Sequence, residues 1–228
     1  KHLDWLEKQL SYPIHRVQWR NLKEDILSAS KGEYKAFTAP FFSKNIDSGK
    51  KSMLRRQCTG DYKLKPIHQK VRELLGYEKG QRYNKNDHVT MIMGISYDEI
   101  FRMKMNMHKY ITNDYPLVDK RMRRYNCLSW LEKNNYPKPP RSACTFCPYH
   151  TNAEWREIKK NKQEWQEVLD MDKKIRNQEK FKNPECDAVV DKLYLHKDCV
   201  PMDEVDLRTD EERGQMSFLD ECDGICGV

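Results

Sequence analysis

Two cysteines two residues apart, set between a proline-rich approach and a helix start, constrain this chain more than any other stretch. They lie in Pro140-Arg141-Ser142-Ala143-Cys144-Thr145-Phe146-Cys147-Pro148-Tyr149-His150. A Cys-x-x-Cys turn lets both sulfurs converge on one ion, or on one iron of a cluster. Cys127 upstream and Cys58 further off can complete a set of four thiolates. The competing reading is a pair of small buried cysteines, since an unliganded cysteine behaves as a core hydrophobe. Ser142, Pro148 and the loop composition place the pair at a surface turn, which favours ligation.

The rest of the sequence is wet: 34% of its 228 residues are charged and 38% are hydrophobic. A core must therefore come from amphipathic helices and one or two short apolar strands, with aromatic side chains as filler. No run approaches the apolar length of a membrane span and no signal-peptide pattern opens the chain, so the expected compartment is the cytoplasm. In that setting the eight cysteines are expected as ligands or reactive thiols rather than disulfides.

The chain opens inside a helical pattern, with Leu3, Leu6 and Leu10 on one face and no initiator methionine, and reads as a piece of a longer protein. Pro13 ends that helix. Ile14 to Trp19 alternates as a strand would, and Asn21 caps a helix expected to run to about Ala29. From Lys31 to Arg56 neither period persists, which predicts a long loop. Its basic residues Lys50, Lys51, Arg55 and Arg56 suit phosphate or nucleic acid, or simply a solvated charge run. Ile67, Val71, Leu74 and Leu75 mark a helix face that ends at Gly76.

His88 to Ile95 predicts a buried, parallel strand. Ser96-Tyr97-Asp98-Glu99 has the capping-box pattern, so a helix should carry Glu99 and Arg102 near the carboxyl end of that strand, where open α/β sheets bind ligands. The plain alternative is an ordinary cap with a surface arginine. Tyr115-Pro116-Leu117 leads into an expected helix from Asp119 to Lys133, with Met122, Tyr125, Leu128 and Leu131 inward and Cys127 beside them. Thr151 to Glu154 is another capping pattern, and Trp155, Ile158, Trp165, Val168 and Ile175 spread over one or two helices as core. Ala188 to His196 is a further pairing segment. The end, Glu221-Cys222-Asp223-Gly224-Ile225-Cys226-Gly227-Val228, is a small-residue tail with two thiols.

In order along the chain, Arg56-Gln57-Cys58-Thr59 with Lys63 and Pro66-Ile67 come first. Gly94-Ile95-Ser96 with Asp98-Glu99 and Arg102, Tyr115-Pro116-Leu117, Cys127 and Ser142 to Pro148 follow. Together they resemble the phosphoadenosine phosphosulfate (PAPS) reductase family, and within it the phage and bacterial members similar to the DNA phosphorothioation sulfurtransferase. The resemblance covers roughly residues 1 to 150, together with the tail. It implies an α/β fold of the adenine nucleotide alpha-hydrolase type: a partial doubly wound parallel sheet with a helical, cysteine-bearing carboxyl-terminal part. The expected divisions are 1–118, 119–180 and 181–228.

The resemblance further implies ATP or PAPS as nucleotide substrate, with Arg55, Arg56 and Arg102 as substrate contacts and Lys63 and Glu99 as catalytic groups. It implies Cys58, Cys127, Cys144 and Cys147 as ligands of an iron-sulfur cluster, with zinc the alternative, and it makes Cys222 a tail nucleophile. Against that last role, Asp223 stands where the family has glycine, and flanking acids disfavour a thiolate. Family members carry a Ser-Gly-Gly pyrophosphate loop after their first strand. This chain has none, so it is expected to bind nucleotide weakly as it stands. The expected function is nucleotide activation or sulfur transfer, with nucleic acid as a conceivable modification target. The alternative is a metal-stapled nucleic-acid-binding module in which the same basic loop grips backbone phosphates without chemistry.

Overall fold

The computed structural model describes residues 2–29, 38–139, 142–177, 181–182, 189–190, 192–209 and 212–213. The tail with Cys222 and Cys226 lies outside them. The fold is mixed α/β with small sheets, and the chain divides into two compact units, residues 1–15 with 71–142 and residues 16–70 with 143–227.

In order, the elements are α1 (His2–Gln9), α2 (Leu22–Ser28), β1 (Phe42–Lys44), β2 (Lys51–Met53), a π-helical turn (Gly60–Leu64) and α3 (Lys65–Leu74). Next come β3 (Val89–Ile92), a 3-10 helix (Tyr97–Arg102), β4 (Ile111–Asp114), α4 (Pro116–Asp119) and α5 (Arg124–Lys133). The last are α6 (Asn152–Lys160), α7 (Lys162–Arg176), β5 (Phe181–Lys182), β6 (Val189–Val190) and β7 (Lys192–Tyr194).

The larger unit, 16–70 with 143–227, holds an antiparallel sheet ordered β2-β1-β7, with Phe42 opposite both Met53 and Tyr194. Helix α7 buries Val168, Met171, Asp172 and Ile175, the three- and four-residue spacing of a single helix face. That face meets Ile26 of α2, Phe41, Leu193, Leu195 and Met202, and Trp155 of α6 completes the core. The cap signals read from the sequence hold here because they are local. Asn21 accepts from the Lys23 N–H, and Thr151 and Glu154 make both halves of a capping box; Asn161, not read as a cap from the sequence, also accepts from Gln163 and Glu164. Asp172 interrupts the apolar face, yet its Oδ2 takes Arg176 Nε at 2.8 Å and the Met202 N–H at 3.1 Å.

The other unit is built on the parallel pair β3–β4, in register from Val89 opposite Ile111 to Ile92 opposite Asp114. The 3-10 helix makes the crossover, and the Arg124 N–H donates to Asp98 at 3.0 Å, which ties the start of α5 to it. Ile95, Tyr115 and Val118 form a small core, and Trp5, Tyr136 and Trp130 make an aromatic group between α1 and the end of α5.

Several expectations are corrected. Ile14 to Trp19 forms no strand, and Trp19 sits at a bend. The 31–56 stretch contains β1 and β2, drawn into a hairpin by the sheet rather than by its own pattern. The capping-box segment forms a 3-10 helix, and Ser96 makes no side-chain cap. The single helix from Asp119 to Lys133 is two, broken at Arg121, whose φ of 51° no α-helix accommodates. Tyr125, expected inward, is exposed, and so is Ile92 of the strand expected to be buried. No helix among the described residues is long and apolar enough to cross a membrane.

Candidate functional site around the Cys144 turn

The sequence from Cys144 to His150 folds as two successive turns. The Cys147 N–H reaches the Cys144 carbonyl at 2.9 Å, and the His150 N–H reaches the Cys147 carbonyl at 3.1 Å. The turn is anchored from beneath rather than lying free on the surface. Phe146 and Pro148 are buried, Phe146 belongs to the main core, and both thiols are left half-buried. Thr151 then caps α6 and fixes where the turn ends.

His150 sharpens this picture. Its Nε2 donates to the Cys144 carbonyl at 2.8 Å; a carbonyl only accepts, so this nitrogen carries the proton. In the neutral ring Nδ1 is then a lone pair. It is buried without a hydrogen-bond partner, with the Glu154 carboxylate 3.6 Å away. The ring stands edge-on to Trp155, 4.8 Å between centroids. Gln57 Oε1 and Trp155 Nε1 are likewise buried and unpartnered. Buried polar atoms without partners are rare and costly, and they mark places where a bound group can complete the bonding.

The facing wall comes from a segment far away in sequence. Cys58 opens a helical run, and its N–H and that of Gln57 both donate to the Thr38 carbonyl, at 2.8 and 3.1 Å. Within that run Gly60–Leu64 is π-helical, which shifts Lys63 from the direction an α-helix would give it. Such turns frequently occur at functional sites. Tyr62 secures the turn: its hydroxyl donates to Asp25 Oδ2 at 2.7 Å, and Arg20 holds Oδ1 of the same carboxylate at 2.5 Å. Burial and that bond push the Tyr62 phenol well above its ordinary value. Burial also pushes the Cys144 thiol up, the Lys63 ammonium pulls it back, and Cys58 adds to the rise. Lys63, Cys58 and Cys144 thus share one electrostatic neighbourhood.

Arg56 is exposed, its Nε donating to Thr59 Oγ1 at 2.8 Å and its guanidinium 5.8 Å from the centre of the Tyr149 ring. This braces a planar donor fork next to the thiol turn. Arg55 is exposed beside it.

Of the residues singled out from the sequence, Arg55, Arg56, Cys58, Lys63, Cys144 and Cys147 fall in the larger unit. Cys127, half-buried on α5, and Glu99 with Arg102 belong to the other. There Arg102 bonds Glu99 at 2.6 Å on the exposed 3-10 helix. Sequence reasoning passed over His150 and Gln57. The Cys-x-x-His spacing from Cys147 to His150 was the available signal.

Cys58, Cys144 and Cys147 are half-buried thiols, the donor type that soft and borderline metals take, and the Lys63 ammonium acts on Cys144. Among the described residues, no three His, Cys, Asp or Glu side chains are gathered closely enough to form a ready-made metal group. The chain matches no family model, no curated protein and no solved structure.

Proposed function

We propose that the chain is a PAPS reductase-like enzyme of nucleotide activation or sulfur transfer. In this reading Cys58, Cys144 and Cys147 hold a metal or iron-sulfur cluster, and His150 Nδ1 is a further donor. The observation that supports the reading is Arg56 set against Tyr149 of the thiol turn, with Lys63 and Cys58, distant in sequence, close enough to act on the Cys144 thiol electrostatically. When bound, the cluster or zinc ion would supply redox or Lewis-acid chemistry at sulfur. The protein's own part is to orient an anion. Arg56 offers two parallel N–H donors to a phosphate or sulfate, and Lys63 adds a point charge beside the thiols. Arg102, braced by Glu99, is the nucleotide contact that the family implies for the other unit. The same reading makes β3–β4 part of a doubly wound, adenine nucleotide alpha-hydrolase-like sheet, with ATP or PAPS as the ligand.

The test is calorimetric titration of the full chain with ATP and with PAPS at low salt. Arg56→Lys keeps the charge but loses the fork, and is expected to weaken binding several-fold, whereas Lys50→Arg leaves it unchanged. Equal, negligible effects would remove the anion site. Salt-sensitive binding of duplex DNA with no nucleotide binding would instead favour the nucleic-acid-binding module.

A further inference from the structure

A concavity lies in the unit that does not carry the Cys144 turn. About 520 Å³ in volume, it lies between the 103–109 loop and β4. That volume falls in the range that takes a small organic molecule. Met103, Met105, Ile111 and Tyr115 supply apolar lining, Thr112, Asn106 and Asn113 are polar and neutral, and Lys104, His108 and Lys109 are basic. Among the described residues, no carboxylate lines it.

The loop is held by its own hydrogen bonds. Tyr115, itself buried, donates its hydroxyl to the Lys104 carbonyl at 2.7 Å and accepts from the Lys104 N–H at 3.0 Å. Asn113 Nδ2 donates to the same carbonyl at 2.8 Å, Asn106 Nδ2 donates to Asn113 at 3.1 Å, and the His108 N–H donates to Asn106 at 3.0 Å. The backbone of Lys104 and the amides of Asn106 and Asn113 are thus used internally, so the lining is preorganised. Beside them Met105 is 95% exposed and Met107 86%. Thioether side chains are ordinarily buried, and exposing two on a fixed loop is unfavourable unless something covers them.

We propose that this concavity binds a small organic anion with an apolar body, such as an aromatic sulfonate or carboxylate. The apolar body covers Met103 and Met105, and the acid group meets Lys104 and Lys109. Charge selects the occupant: basic groups on an apolar wall, with no acid among them, favour an anion over a neutral or cationic ligand of the same shape.

Two fluorescent probes test this, 1-anilinonaphthalene-8-sulfonate and the uncharged N-phenyl-1-naphthylamine, which share an apolar body and differ in charge. The sulfonate is expected to bind about tenfold more tightly at low salt, the scale of one charge-assisted contact. A Lys104→Met, Lys109→Met double variant should abolish that preference, and Met105→Glu should weaken the sulfonate further. Methyl-labelled methionine spectra should show the Met103 and Met105 signals moving on titration. Equal affinity for both probes, or a preference unchanged in the lysine variant, would overturn the proposal. So would a sulfonate effect confined to other methionines, because the probe would then sit on a different apolar surface.

Discussion

The Arg56 guanidinium lies against the Tyr149 ring and the Lys63 ammonium acts electrostatically on the Cys144 thiol, so single substitutions address each. Arg56→Lys should lose the fork while keeping the charge, as set out above. Asp172 offers a separate check on the larger unit's core. Burial raises its carboxyl above the usual value, and the Met202 N–H and Arg176 only partly counter this. The folded protein therefore keeps a proton that the unfolded chain has already lost. This contribution to stability is complete below the ordinary carboxylate range and is lost as pH rises through the folded value. In urea unfolding, Asp172→Asn should gain on the parent protein as pH rises from about 4 toward 7, since an ordinary carboxylate titrates near 4. A difference independent of pH would show that Asp172 ionises as it does in the unfolded chain. Trp155, fully buried with His150 against its ring, should cost about 3–5 kcal/mol when changed to Ala. A loss below about 1 kcal/mol would be out of line with a core position.

Elements were legible where their signal is local and hidden where it is tertiary. The Thr151–Glu154 box is written in four consecutive residues and forms as read, so Thr151→Ala should cost about 1 kcal/mol and show in the urea midpoint. An unchanged midpoint would mean that tertiary packing alone sets the start of α6. By contrast, Ile14 to Trp19 has the alternation of a strand but forms none, because alternation alone does not supply a pairing. The reverse holds for Phe42-Ser43-Lys44 and Lys51-Ser52-Met53, too polar to read as strands. They are paired because β7, distant in sequence, lies alongside β1. Arg121 breaks a helix with no glycine or proline to announce it. At the site, the Cys144–Cys147 turn was visible from spacing. The approach of Lys63 was not, since it depends on a π-helical turn and on Tyr62 reaching Asp25.

For the whole molecule, the division into two units puts six of the nine described site residues named from the sequence into one of them, the unit that carries the Cys144 turn. The central claim is that Cys58, Cys144 and Cys147 in that unit hold a metal or cluster. Soft thiolates bind metal with enough free energy to stabilise the fold around them, so its loss should register in stability as well as in composition. The most direct measurement is iron, zinc and sulfide content of the full chain purified without oxygen, with its absorption spectrum, for the parent and for Cys58→Ser, Cys144→Ser, Cys147→Ser and Cys127→Ser. About one zinc ion or one cluster per chain is expected, lost or sharply reduced in each of the first three variants, with the Cys127 variant showing whether that thiol belongs to the set. Absence of stoichiometric metal in the parent, or undiminished metal in Cys58→Ser, Cys144→Ser and Cys147→Ser, would contradict it.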